Sequence, residues 1–124
     1  MPKWEAGTYI PIISGGTITE GQCEYYKLGQ LVFVCGALWG NGDGSSNFVS
    51  LSLPYQATSI RNYGTVGYFP SSANYPNLHT VVTAEIGKIL FEYGALNTVT
   101  QITGSEWGTC QFNIWYITNG VKLI

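Results

Sequence analysis

Acid–base or nucleophilic chemistry needs a base beside a nucleophile, or two facing carboxylates. The 124-residue chain offers one histidine, His79, and one aspartate, Asp43. Glu24, Glu85 and Glu92 fall in segments that read as strands. A hairpin turning at Gly87-Lys88 would bring Glu85 near Glu92, although solvated strand-face charges are the commoner outcome. Cys23, Cys35 and Cys110 make an odd count, which excludes a complete disulfide framework. They contain no C-x-x-C spacing, and with a single histidine they match no zinc pattern. Buried free thiols are the expectation. Gly40 to Gly44 lacks the lysine and the following helix of a phosphate-binding loop. The chain therefore reads as non-enzymatic, with no metal and no cofactor.

Binding needs less. Sugars are held by aromatic faces together with amides and carboxylates, because pyranose rings carry apolar C–H faces and many hydroxyls. Tyr75 is the leading candidate, since the loop Ser71 to Asn77 offers little to bury it. Asn74, His79, Asn41 and Asp43 are polar candidates in or beside loops. Trp39 continues a core strand and ranks below Tyr75.

These residues need positioning, and composition says by what. Sixteen glycines and eighteen aromatic residues (nine Tyr, five Phe, four Trp) stand beside only five basic and seven acidic side chains. Glycine punctuates short elements, and aromatic residues suit a pleated, half-buried surface. No segment keeps helical periodicity over ten residues. A net charge of −2 with a single arginine provides no footprint for nucleic acid. No apolar run approaches the ~20 residues of a membrane span. Met1 to Glu5 lacks the apolar region of a signal peptide. So few charges fit a neutral surface of Ser, Thr, Asn and Gln or, the favoured reading, surface buried between copies, because interfaces deplete charge and keep aromatics.

The clearest unit is a hairpin from Cys23 to Trp39. Gly29-Gln30 suits a two-residue type II′ turn. Leu28 would then face Leu31 and Glu24 face Cys35, with Cys23 and Cys35 on opposite faces and unbonded. Leu31, Phe33, Cys35, Ala37 and Trp39 line one side of the return strand, and Val32, Val34 and Leu38 the other. A strand apolar on both faces must be covered on both, by a second sheet or a neighbouring subunit. Elsewhere, Thr8 to Ile13 reads as a strand interrupted by Pro11, which places it at an edge or a sheet corner. Further strands are expected at Asn47 to Leu53, Tyr63 to Phe69, Val81 to Ile86, Ile89 to Tyr93 and Thr109 to Thr118. Tyr55 to Arg61 reads as irregular, and Gly94 to Gly108 as ambiguous. In the last strand Gln111, Asn113, Trp115 and Ile117 form a mixed face. About eight short strands, with turns every 8–12 residues or so, make a single all-β domain over residues 1–124. The expected packing is an antiparallel β-sandwich, jelly-roll-like.

The segment Tyr25-Tyr26-Lys27-Leu28-Gly29-Gln30-Leu31-Val32-Phe33-Val34 resembles the "G-x-Y-x-K-x-G-x-x-V-x-V" hairpin of tailed-phage tail-fibre and receptor-binding proteins. Gly7-Thr8-Tyr9-Ile10-Pro11 is similar to that family's "G-x-W-x-P" opening. Val49-Ser50-Leu51-Ser52-Leu53-Pro54-Tyr55 resembles its "L-x-I-x-x-L-P-F" strand, and Phe112 to Ile117 its closing aromatic strand. Gly21 stands further from the tyrosines than in the pattern. The resemblance implies a C-terminal piece of a longer fibre protein. Such a head assembles as a homotrimer at the tip of a virion tail, after production in the host cytoplasm. It docks on host cell-surface saccharide or protein. The motif residues are scaffold, so no binding residue follows from them. A structural trimerisation module without a ligand, or a carbohydrate-binding module of a glycan-active enzyme, are the alternatives.

Overall fold

The computed structural model describes residues 4–58, 60–94 and 98–124. Outside them lie residues 1–3 of the opening segment, Ser59 of the stretch expected to be irregular, and residues 95–97 of the ambiguous stretch. In chain order the strands are β1 (Trp4–Tyr9), β2 (Ile13–Ser14), β3 (Gly16–Leu28), β4 (Leu31–Gly42), β5 (Ser50–Ser52), β6 (Tyr55–Ala57), β7 (Asn62–Tyr63), β8 (Thr65–Tyr68), β9 (His79–Val82), β10 (Lys88–Tyr93), β11 (Thr100–Gln101) and β12 (Gly108–Lys122). A single 3-10 turn, Ser72–Asn74, is the only helical element among the described residues.

Two antiparallel sheets result. The first runs β1-β3-β4-β12-β6, with β8 also on β12. The second runs β2-β5-β10-β9-β7, with β11 also on β10. Val32, Val34, Ile114 and Tyr116 of the first sheet meet Leu51, Val82, Ile89 and Phe91 of the second in one buried core. Phe91 and Phe112 touch edge to face across it, with centroids 5.6 Å apart.

The sandwich read from the sequence forms, but with twelve strands rather than about eight. The extra strands come from breaks. At buried Pro11 the chain leaves the first sheet after β1 and enters the second as β2. Proline offers no ladder donor, so the crossing falls where none is needed. Tyr63 to Phe69 also splits between sheets, at Gly64. The Gly64 N–H donates to the Thr80 carbonyl at 3.0 Å. A Cβ there would stand 1.9 Å from the Asn113 carbonyl oxygen, so only glycine passes. Within the stretch expected to be irregular, Tyr55–Ala57 forms β6 against β12.

The first hairpin keeps the expected register: Leu28 faces Leu31 and Glu24 faces Cys35. Gly29 has φ 60° and Gln30 has no positive φ, which fits a type II′ turn. Cys23 is buried, Cys35 faces outward, and all three cysteines are free. The second hairpin is corrected. Val82 faces Ile89, where a turn at Gly87-Lys88 would have set it opposite Tyr93. The Gly87 N–H donates to the Thr83 carbonyl at 2.8 Å, and Gly87 takes φ 68°. A longer, glycine-closed loop therefore displaces the two-residue turn. Glu85 and Ile86 fall on its exposed tip, so Glu85 does not face Glu92.

Candidate functional site

Alternation along the strands aims every second residue of the first sheet away from the core. The register sorts these outward side chains into cross-strand rows. Trp4, Leu28, Leu31 and Ile117 form the row beside the Gly29-Gln30 turn. Ala6, Tyr26, Phe33 and Trp115 form the next. Then the chemistry changes. The third row is Thr8, Glu24, Cys35, Asn113 and Thr65. The fourth is Gln22, Ala37, Gln111 and Tyr68. Glu20 stands opposite Trp39 beyond them. One sheet face thus has an uncharged aromatic half and a polar half.

The aromatic half is tightly laid. Phe33 sits 4.8 Å from Trp115 and 6.5 Å from Tyr26, centroid to centroid. Trp4 is 65% exposed and Trp115 48%. Together with Leu28 and Leu31, these rings line a shallow hollow of about 270 Å³.

The polar half is a groove of about 570 Å³, floored by the small residues Cys35, Gly36 and Ala37. A smaller hollow of about 220 Å³ shares Ala37, Trp39 and Gln111 and extends the groove to Tyr68. Trp39 and Tyr68 are 48% and 54% exposed. The Trp39 ring leans over Gly21, where a Cβ would come within 3.1 Å of its Cε3. Gly21 has φ 99°, and a side chain there would also strike the Ala37 carbonyl oxygen at 2.2 Å. The glycine that departed from the fibre-like spacing therefore lets the indole lie against β3. Asn113, a lining residue of the groove, accepts the Thr65 N–H on its Oδ1 at 3.3 Å. Glu24 Oε2 accepts the Tyr26 hydroxyl at 2.9 Å across the boundary between the halves.

Cys35 is the one thiol of the groove floor. Burial pushes the Cys23 and Cys110 thiols up to about 12, and burial with the Glu24 charge raises Cys35 more modestly. An alkylating reagent at pH 8 is expected to modify Cys35 slowly and leave the other two intact while the fold persists. Peptide mapping after a timed pulse checks this. Equal labelling of all three would contradict it.

The sequence candidates scatter. Trp39 stands on the groove rim, and Asn41 lies one row beyond it on the same strand face. Asp43 staples its own loop by accepting the Ser45 N–H at 2.8 Å. Hydrogen bonding from the Ser45 side chain, and then from this N–H, holds its carboxyl below the ordinary value. Tyr75, expected to lack cover, is half buried, edge-on to Phe69 at 5.5 Å and to Tyr93 at 4.9 Å. Asn74 ends the exposed 3-10 turn before it.

His79 lies on the outer face of the second sheet, across the sandwich from the groove. Its Nδ1 donates to the Asn77 carbonyl at 2.6 Å, and its Nε2 meets Glu92 at 3.3 Å. Glu92 is 4% exposed, and Arg61 Nη2 reaches both of its oxygens at 2.9 Å. The Tyr63 ring packs on His79 and on Arg61. This buried carboxylate is satisfied by its own neighbours, so the cluster reads as structural. No group of three or more metal-ligating side chains occurs among the described residues.

Comparison with known proteins finds no matching family model, no matching curated sequence and no matching solved structure. The divided face of the first sheet is therefore the ground on which function is argued. Gln22, Gln111 and Asn113 were not among the sequence candidates, whereas Tyr68 was one of the loop aromatics. Their signal was the mixed face of the last strand, which needed a partner strand before it could be read as a groove.

Proposed function

We propose that the domain is a non-enzymatic receptor-binding head of a phage or prophage tail fibre. On this reading it works as a homotrimer and docks on saccharide, or on protein carrying it, at the host cell surface. The observation that carries the proposal is the division of one sheet face into an uncharged aromatic half and an amide-lined groove edged by Trp39 and Tyr68. A monomer rarely leaves so contiguous an apolar patch to water. The aromatic half supports contact with further copies. The groove offers what a sugar ring needs: an aromatic face, side-chain amides with free donors and acceptors, and a shallow floor. Three weak sites on one knob gain avidity through effective concentration, so none has to be deep.

Light scattering and host-cell pull-down test the two parts. The expected mass is three times the 13.5 kDa of one chain, with saturable binding to host envelopes. A monomer at micromolar concentration, even with upstream fibre sequence restored, counts against the trimer. A trimer without saturable binding would favour a purely structural trimerisation module, the reading that the aromatic half alone would support.

A further inference from the structure

We infer that the groove selects neutral and amino sugars and refuses anionic ones, with Glu24 and Glu20 as the residues that set this choice. The inference rests on the saccharide reading above and sharpens it. Both carboxylates point outward from β3, one on each side of Gln22. Glu24 lines the groove beside Cys35, and Glu20, paired with Trp39 in the β3–β4 register, stands just beyond the groove lining. Among the described residues no lysine or arginine lines either hollow of the groove. The described cations are engaged or distant. Lys27 lies over the Tyr55 ring, Arg61 is held by Glu92 on the other sheet, and Lys88 and Lys122 lie on β10 and at the end of β12. A sugar ring stacked on Trp39 would therefore have Glu24 in the groove and Glu20 at its edge, with no compensating cation among the described residues.

At contact distance two like charges repel by about 1 kcal/mol in water and more where a ligand excludes it. A uronate residue in the groove is thus expected to bind at least about fivefold more weakly than its neutral counterpart. An ammonium sugar meets attraction from the same carboxylates, and the amides of Gln22 and Gln111, with the amide donor of Asn113, serve the hydroxyls of either kind.

Calorimetric titration with three tetrasaccharides tests this: N-acetylglucosamine, glucosamine and galacturonic acid units. The first two are expected to bind and the third to fall below them by at least about fivefold. Glu24→Gln with Glu20→Gln is expected to close that gap, with no loss of melting temperature since both side chains are exposed. Trp39→Ala is expected to abolish binding of all three. Galacturonate bound as well as the neutral sugar, or binding that survives Trp39→Ala, overturns the inference and leaves a receptor-binding head with its site elsewhere. Failure of all three sugars, together with failure to bind host envelopes, removes the receptor reading itself.

Discussion

Tyr116→Phe is expected to cost about 2–4 kcal/mol of stability and about 10 °C in melting temperature, although it removes a single oxygen. Tyr116 is fully buried on β12. Its hydroxyl donates to the Tyr55 carbonyl at 2.8 Å and accepts the Tyr55 N–H at 3.2 Å. The ladder between β6 and β12 pairs Ala57 with Thr118 and Tyr55 with Lys122, with a register shift between. The phenol therefore serves both backbone groups of Tyr55 where the ladder is irregular. Phenylalanine keeps the shape and orphans two buried polar groups, each costing about 1–3 kcal/mol. Thermal and urea unfolding measure the loss. A change below about 0.5 kcal/mol would show that Tyr55 finds other partners. Burial also holds the Tyr116 and Tyr9 hydroxyls well above the ordinary phenol value. Their contribution is complete below about pH 10, where the unfolded phenols begin to ionise, and is lost as pH rises further. The variant is expected to show a shallower alkaline decline.

Trp115→Asp is expected to turn the proposed trimer into monomers. Trp115 stands in the aromatic row against Phe33, half exposed and outside the core. Aspartate would bring an uncompensated charge into a contact that offers it no partner. The loss of one exposed indole leaves the sandwich core untouched, so the monomer keeps its strand signal. Light scattering at several concentrations reads the outcome, with Trp39→Ala as the control that keeps the assembled mass. An assembled Trp115→Asp protein would move the contact away from this half of the sheet.

The sequence made the first hairpin readable to the residue. Gly29-Gln30 dictates a tight turn, and once Leu28 faces Leu31 every pair back to Glu24–Cys35 follows. Pro11 marked an edge or a sheet corner for the same local reason, and a corner between the sheets is what forms. The second hairpin misled because Gly87-Lys88 has the composition of a two-residue turn. The competing bond from Gly87 back to Thr83 leaves no pattern beyond the glycine itself. Tyr75 misled differently: its cover comes from Phe69 and Tyr93, one before its loop and one on a distant strand. The groove was half visible. Gln111 and Asn113 against Trp115 and Ile117 is the same polar-to-apolar division that Gln22 and Glu24 against Tyr26 and Leu28 makes on β3. Joining them required the long-range pairing of β12 with β4, which neither strand encodes alone.

Strand β12 follows every other strand in the chain, yet it lies in the middle of the first sheet, with β4 on one edge and β6 and β8 on the other. A nascent chain leaving the ribosome can therefore close neither edge until its last strand emerges. From the emergence of β4 until β12 follows it, the apolar β4 ribbon is an open template for other chains. Slow synthesis or a premature stop before Gly108 should yield aggregate rather than a smaller domain, and crowded polysomes would be where copies first meet.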